Sequence, residues 1–309
     1  MIASPARTRA ASAQALRDVL DRVYKRYNRR QFLGSDPLQF AHRYSNRQDV
    51  EIAAFLASAL AYGRVEQIRR SLTQLFDRMD NKPYEFTSRF DNRRRAKLRS
   101  FKHRFTTGDD LADLLDVFRR VLDRHGGLEA FFLLGYREEH ESVLPALSTF
   151  CESLGRIYMD SHGGGQPPAG LNYLLASPSR GSASKRLNLF LRWMVRKDDV
   201  DLGLWTTVDK AKLIVPVDVH MGRLCRILGL YAGKSASLRA AVEITAGFAR
   251  IEPGDPVKYD FALSRIGIVE DCTGCCRPGC PVCELYAICR RARSFALEST
   301  SGDDRLTKV

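Results

Sequence analysis

The stretch Val215-Pro-Val-Asp218-Val-His220-Met221 decides how this 309-residue chain is to be read. A proline-containing, β-branched run ends at an aspartate, and from there Met221, Leu224, Cys225 and Leu228 recur at helical spacing. Asp218 therefore reads as a helix N-cap, where aspartate is favoured. A carboxylate there is also held charged by the helix dipole. Outward from this helix, the pattern stays helical. On the C-terminal side, helices fit 235–249 and 256–268. On the N-terminal side, a loop runs back from Leu213, and a helix from Lys185 to about Lys197 carries the stripe Leu187, Phe190, Leu191, Met194 and Val195. Trp193 reads as core. Before it lie a short helix at 170–176 and the Gly/Pro loop Ser161–Leu171. Further helices fit 12–28, 49–63, 65–78, 109–124, 127–135 and 140–158. Residues 49–63 are small and apolar nearly all round, which implies a buried helix. No period-2 strand stands out, so the chain is expected to be all-α.

Lys and Arg number 49 against 36 Asp and Glu, a net charge of +13. Such a balance suits a polyanionic partner, because cations that neutralise phosphates release counterions. Local clusters occur at Arg29–Arg30, Arg93–Arg95 and Arg290–Arg293. No apolar run reaches the length of a membrane span, and the first residues, MIASPARTRAASAQALRD, have no apolar signal-peptide core. The chain is expected to be a cytoplasmic, nucleoid-associated monomer with no membrane partner. Six of eight cysteines fall within Cys272–Cys289. One tight cluster points to metal binding rather than to a disulfide framework. Four thiolates within such a stretch can hold a [4Fe–4S] cube or a zinc ion.

Two segments carry a family resemblance. Val215–Met221 resembles the segment bearing the essential aspartate in helix-hairpin-helix DNA glycosylases, especially the 8-oxoguanine glycosylases. The upstream Gly181-Ser182-Ala183-Ser184-Lys185 is similar to the hairpin whose last lysine attacks the sugar C1′ in the bifunctional members. Its second glycine is replaced by Ala183, and Lys185 and Asp218 stand 33 residues apart, a longer interval than in endonuclease III. The inserted length is Asp198–Lys212. The spacing Cys280-x2-Cys283-x5-Cys289, after a helix ending in Ile266-Gly267, resembles the iron–sulfur loop of endonuclease III. Cys272 is expected as first ligand, with Cys276 as its alternative.

The resemblance, over roughly residues 50–290, implies a two-lobed helix-hairpin-helix glycosylase fold with a C-terminal iron–sulfur loop. One lobe would be a helical barrel at 47–200. The other would combine 12–46 with 201–292, and the polar stretch 296–309 would be a disordered tail. It implies a DNA repair glycosylase, with AP lyase activity, acting on duplex DNA that carries a damaged base; an oxidised purine is the lesion favoured. Lys185 would be the nucleophile and Asp218 its partner, with Lys197, Lys210 and Lys212 as rivals to Lys185. Gly181, Ser182, Ala183, Ser184, Tyr62, Arg64 and His220 would contact DNA. The run Ser100–Phe105, basic residues interleaved with aromatics, reads equally as a DNA contact or as a surface loop. Two alternatives stay open: a monofunctional glycosylase, and a non-catalytic, structure-specific DNA-binding protein on the same scaffold.

Overall fold

The computed structural model describes residues 13–268, 272–274 and 280–289. The stretch 296–309, Cys276 and the cluster Arg290–Arg293 lie outside them. Helices make up most of the described chain: α1 (Ala13–Tyr27), α2 (Arg47–Ala59), α3 (Val65–Arg78), α4 (Pro83–Ser88), α5 (Asn92–Leu98), α6 (Gly108–His125), α7 (Leu128–Leu133), α8 (Leu144–Ser161), α9 (Ala169–Leu174), α10 (Lys185–Val195), α11 (Val219–Leu228), α12 (Leu238–Ala249) and α13 (Asp260–Ile268). The expected helices are present, with ends moved by a few residues. The reading by apolar period missed the short α4 and α5, opened by Pro83 and by the Asp91 cap, because six or seven residues hold too few turns to show a period. It also missed a two-stranded hairpin, β1 (Lys102–His103) with β2 (Thr106–Thr107). Two residues per strand cannot show alternation.

Capping chemistry sets several boundaries. Thr107 and Asp110 bond reciprocally to each other's backbone N–H and open α6, which Gly126 closes at φ 78°. Asp218 accepts the Met221 N–H at the start of α11, and Gly229 ends that helix at φ 77°.

Helix contacts fall into two sets. In one, α2 packs against α4 and α10, and α6 packs against α4, α5, α7, α8 and α9. In the other, α13 packs against α1 and α11, and α11 against α12. The apolar core runs continuously through both. Every residue of α2 from Val50 to Ala59 is buried, Glu51 included. The Glu51 carboxylate accepts the N–H groups of Leu128 and Glu129 at 2.9 and 3.1 Å, capping α7, and the Trp205 indole N–H at 2.8 Å. Trp205 lies in the Asp198–Lys212 stretch and packs on Phe132 and Phe190. That stretch thus anchors itself in the core through Val200, Asp201, Trp205 and Val208, while Asp199, Thr206, Thr207, Asp209 and Lys210 stay exposed. Among the described residues no helix is long and apolar enough to cross a membrane.

Candidate active site

The turn between α9 and α10 places the first functional side chain. Gly181 takes φ 78° and Ser184 φ 47°, while Ala183 stays out of the left-handed region. Glycine's freedom is therefore used at 181 and not at 183, so the alanine is compatible with a tight turn. Ser184 is held in its strained conformation locally. Its hydroxyl donates to the Ala176 carbonyl at 2.7 Å, and its N–H donates to the Ser182 hydroxyl at 3.0 Å. Asn188 donates back to the Ala183 carbonyl at 3.1 Å. The turn is thus tied at both ends, and Lys185 leaves it as the first residue of α10.

Asp218 reaches the same place from α11. Lys185 Nζ lies 3.0 Å from Asp218 Oδ2, although 33 residues separate them. The two side chains are 32% and 36% exposed. The other Asp218 oxygen accepts the Met221 N–H at 2.9 Å. Burial acts to raise the Asp218 carboxyl, but the Lys185 ammonium and the Met221 N–H outweigh it and hold the group below the usual carboxylate range. The pair opens onto a cleft of about 650 Å³, large enough for a nucleotide-sized group. Ser182, Ala183, Ser184, Tyr62 and His220 line it too, whereas Gly181 and Arg64 do not. The rival lysines are elsewhere: Lys212 donates to the Glu138 carbonyl, and neither Lys197 nor Lys210 lines the cleft. His220 is exposed on the first turn of α11. Its Nδ1 lies 2.9 Å from Arg223 Nη2, which also donates to the Cys272 carbonyl at 2.7 Å.

An aromatic rim borders the cleft. Tyr62 is fastened in place: its hydroxyl donates to the His103 carbonyl at 2.9 Å and lies 2.7 Å from the Thr106 hydroxyl. His103 is buried, bonded to Ser71 and to the Tyr62 carbonyl, and burial pushes its imidazole below the usual range. The run Ser100–Phe105 thus folds into the β1–β2 hairpin and fastens Tyr62 from behind. The hairpin turns at Arg104, φ 52°, whose side chain lies across Gly63, where an added Cβ would come within 2.8 Å of it. At its tip Phe105 is 66% exposed and stacks on Tyr62, with centroids 6.0 Å apart and planes 6° apart. Tyr173 meets both rings edge-on. Arg186, next to Lys185, packs over Tyr62 and Tyr173 and donates to the Ala59 carbonyl at 2.8 Å. No carboxylate pairs with Arg186 among the described residues. Tyr173 and Arg186 escaped the sequence reading, since neither belongs to a motif and only packing brings them to the cleft.

In the two described charge clusters, Arg29 binds Asp199, Arg94 binds Asp91, and Arg95 binds Asp113 at 2.7 Å, so part of their charge is spent on local pairing.

Of the expected cluster ligands, Cys272, Cys280, Cys283 and Cys289 are described, all partly buried. Burial raises the Cys283 thiol, and Cys272, Cys280 and Cys289 raise it further. Among the described residues no group of three or more His, Cys, Asp or Glu is arranged to hold a metal ion. The donor chemistry, four thiols, fits an iron–sulfur cube or zinc; the arrangement is not closed around either.

The model of a protein family described as Protein of unknown function (DUF2400) matches residues 36–269. No curated protein and no solved structure matches the chain.

Proposed function

The chain belongs to the DUF2400 family, and we propose that it is a DNA base-excision enzyme of the helix-hairpin-helix glycosylase type. The observation that carries this reading is the Lys185–Asp218 pair, 3.0 Å apart, at the first turns of two helices that border one cleft. In this reading the two sets of helix contacts are two lobes, and duplex DNA lies between them with one nucleotide extruded.

The chemistry follows from the pair. Asp218 takes a proton from the Lys185 ammonium, leaving a neutral amine beside a carboxylic acid. The amine attacks C1′ of the deoxyribose, the glycosidic bond breaks with its electron pair going to the base, and a proton from Asp218 reaches the departing base. The regenerated carboxylate stabilises the positive sugar. Ring opening, with O4′ taking a proton from the attached nitrogen, forms the protonated imine; the Asp218 carboxylate then takes the C2′ proton as the C3′–oxygen bond breaks and the phosphate leaves, nicking the strand. The Tyr62–Phe105–Tyr173 rim supplies stacking faces for bases, and Arg186 supplies an uncompensated positive charge for the backbone. The four cysteines Cys272, Cys280, Cys283 and Cys289 would hold a [4Fe–4S] cluster, structural in this reading and joined to His220 through Arg223. An absorbance near 400 nm that Cys283→Ser abolishes is expected; a colourless, zinc-containing protein would replace the cube by zinc.

The test is borohydride trapping on duplexes carrying abasic sites or single lesions. The native protein is expected to trap covalently and Lys185→Gln not at all. Undiminished trapping by Lys185→Gln refutes the nucleophile. The resting ion pair itself favours a second reading, in which Lys185 stays charged and Asp218 activates water. Base release without trapping would select that monofunctional enzyme, and a gel shift without release would select a DNA-binding protein.

A further inference from the structure

One guanidinium joins the cysteine segment to the cleft. Arg223 stands one turn beyond His220 on α11, so the two side chains share a helix face. Arg223 Nη2 lies 2.9 Å from His220 Nδ1 and donates to the Cys272 carbonyl at 2.7 Å. The Cys272 N–H donates in turn to the Ile266 carbonyl of α13 at 3.3 Å. Gly274 takes φ 83° and closes over the same arginine. A Cβ there would come within 3.0 Å of Arg223 Cδ and 3.5 Å of Ile227 Cδ1. The turn at 272–274 therefore sits directly on Arg223, and His220 is the next group along.

The two ends of the segment meet different helices. Glu284 pairs with Arg26 of α1 at 2.9 Å, and Leu285 and Ile288 are buried. That end fastens the segment to the fold. The 272–274 end meets α11, whose first turn carries Asp218 and His220.

Hydrogen-bond chemistry fixes the sense of the Arg223–His220 contact. A guanidinium donates and cannot accept. His220 Nδ1 is therefore the acceptor, and the proton of the ring sits on Nε2. The ring is exposed and lines the cleft beside Asp218. It thus offers an N–H donor there, and the complement of that donor on DNA is a phosphate oxygen.

We propose that Arg223 is a positioning residue: it holds His220 in the Nε2–H form for a phosphate oxygen of the DNA, and it is itself held by the 272–274 turn. The cysteine segment then acts on DNA binding through one side chain. The inference rests on the excision reading for its ligand and adds to it how the segment and the cleft communicate.

The first measurement needs no DNA. Nitrogen-15 NMR at mildly alkaline pH follows the His220 ring, identified by the signals lost in His220→Ala. Arg223→Met keeps the aliphatic stem and removes the donor, and it is expected to shift the Nδ1 resonance. Gly274→Ala disturbs the turn without touching a thiol or α11, and it should shift the same resonance. An unmoved Nδ1 in either variant overturns the proposal. The second measurement is affinity for a duplex bearing one tetrahydrofuran abasic analogue. His220→Ala and Arg223→Met are each expected to weaken binding about tenfold, the worth of one hydrogen bond to a charged group. Because the two residues act as one unit, the double variant should bind no more weakly than either alone. Losses that multiply in the double variant would mean that Arg223 meets the DNA by itself, and they overturn the proposal, as does unchanged affinity in Arg223→Met. Absence of native trapping at natural abasic sites would refute the excision reading separately, and the Nδ1 response, read without DNA, would stand.

Discussion

Two sets of ion pairs lie on the same helix, and their difference separates architecture from chemistry. At the start of α10, Lys185 meets Asp218 with both side chains about one-third exposed. At its end, Arg192 and Arg196 meet Asp198, Asp201, Asp255 and Asp260 with almost no exposure. In the buried set each arginine binds two or three carboxylates, and Tyr24 from α1 adds a bond to Asp198 at 2.9 Å. That network ties α1, α10 and the approach to α13 together. The exposed pair ties together little that the fold needs, and ligands can reach it. Charges sealed with many partners fix geometry, whereas a charge pair left half-open in a cleft can exchange protons.

The sharpest way to break the comparison is to remove one member of each set. Lys185→Gln is expected to lower lyase turnover by about four orders of magnitude, as removal of a covalent nucleophile does. Denaturant unfolding should move by no more than about 1 kcal/mol, the worth of a solvated pair. Arg196→Ala is expected to do the reverse. Leaving Asp198 and Asp255 without their arginine, and Asp201 with Arg192 alone, should cost roughly 3–5 kcal/mol in the same unfolding measurement, while trapping per folded molecule stays intact. Equal stability losses for the two variants would erase the distinction.

Acid sharpens it next. Burial acts to raise the Asp198 carboxyl, but Arg196, two backbone N–H groups and Tyr24 outweigh that and bring it down to about 2. Its unfolded value is about 3.9. The depressed carboxyl therefore contributes stability that is fully present above about pH 4 and lost as pH falls towards 2. Asp198→Asn should flatten that acid limb by roughly 2 kcal/mol, measured by urea unfolding between pH 2 and 5. An unaltered limb would show that the network does not hold Asp198 as described.

The smallest effect is expected at the rim. Phe105→Ala removes an exposed ring and should change stability by less than about 0.5 kcal/mol, yet weaken binding to lesion-containing duplex about tenfold through lost stacking. Unchanged affinity would return the hairpin tip to a plain surface loop.

Much of this was legible from local patterns. The 3.6-residue period located the long helices, and the Asp218 cap marked the start of α11. Lys185 was expected to open α10, and it does. Those features depend on a few neighbouring residues, so sequence reports them directly. Tyr62 shows where local reading stops: its neighbours in sequence marked it as a DNA contact but said nothing of what holds it. The hydrogen bonds that hold it come from His103 and Thr106, more than forty residues away, and the exposed ring is Phe105.

By itself the sequence determined a helical chain, the starts of the two helices that carry the amine and the carboxylate, and a cluster of six cysteines between 272 and 289. Only the tertiary structure decided that Lys185 and Asp218 touch, that Glu51 is sunk in the core as a cap for α7 and acceptor for Trp205, and that Asp198 and Asp201 form a buried lattice with α10. Helix caps and apolar periods act over one or two turns, within reach of a linear pattern. Contacts across 33 or 154 residues exist only once the helices have packed and shut out water, and no local pattern carries that information.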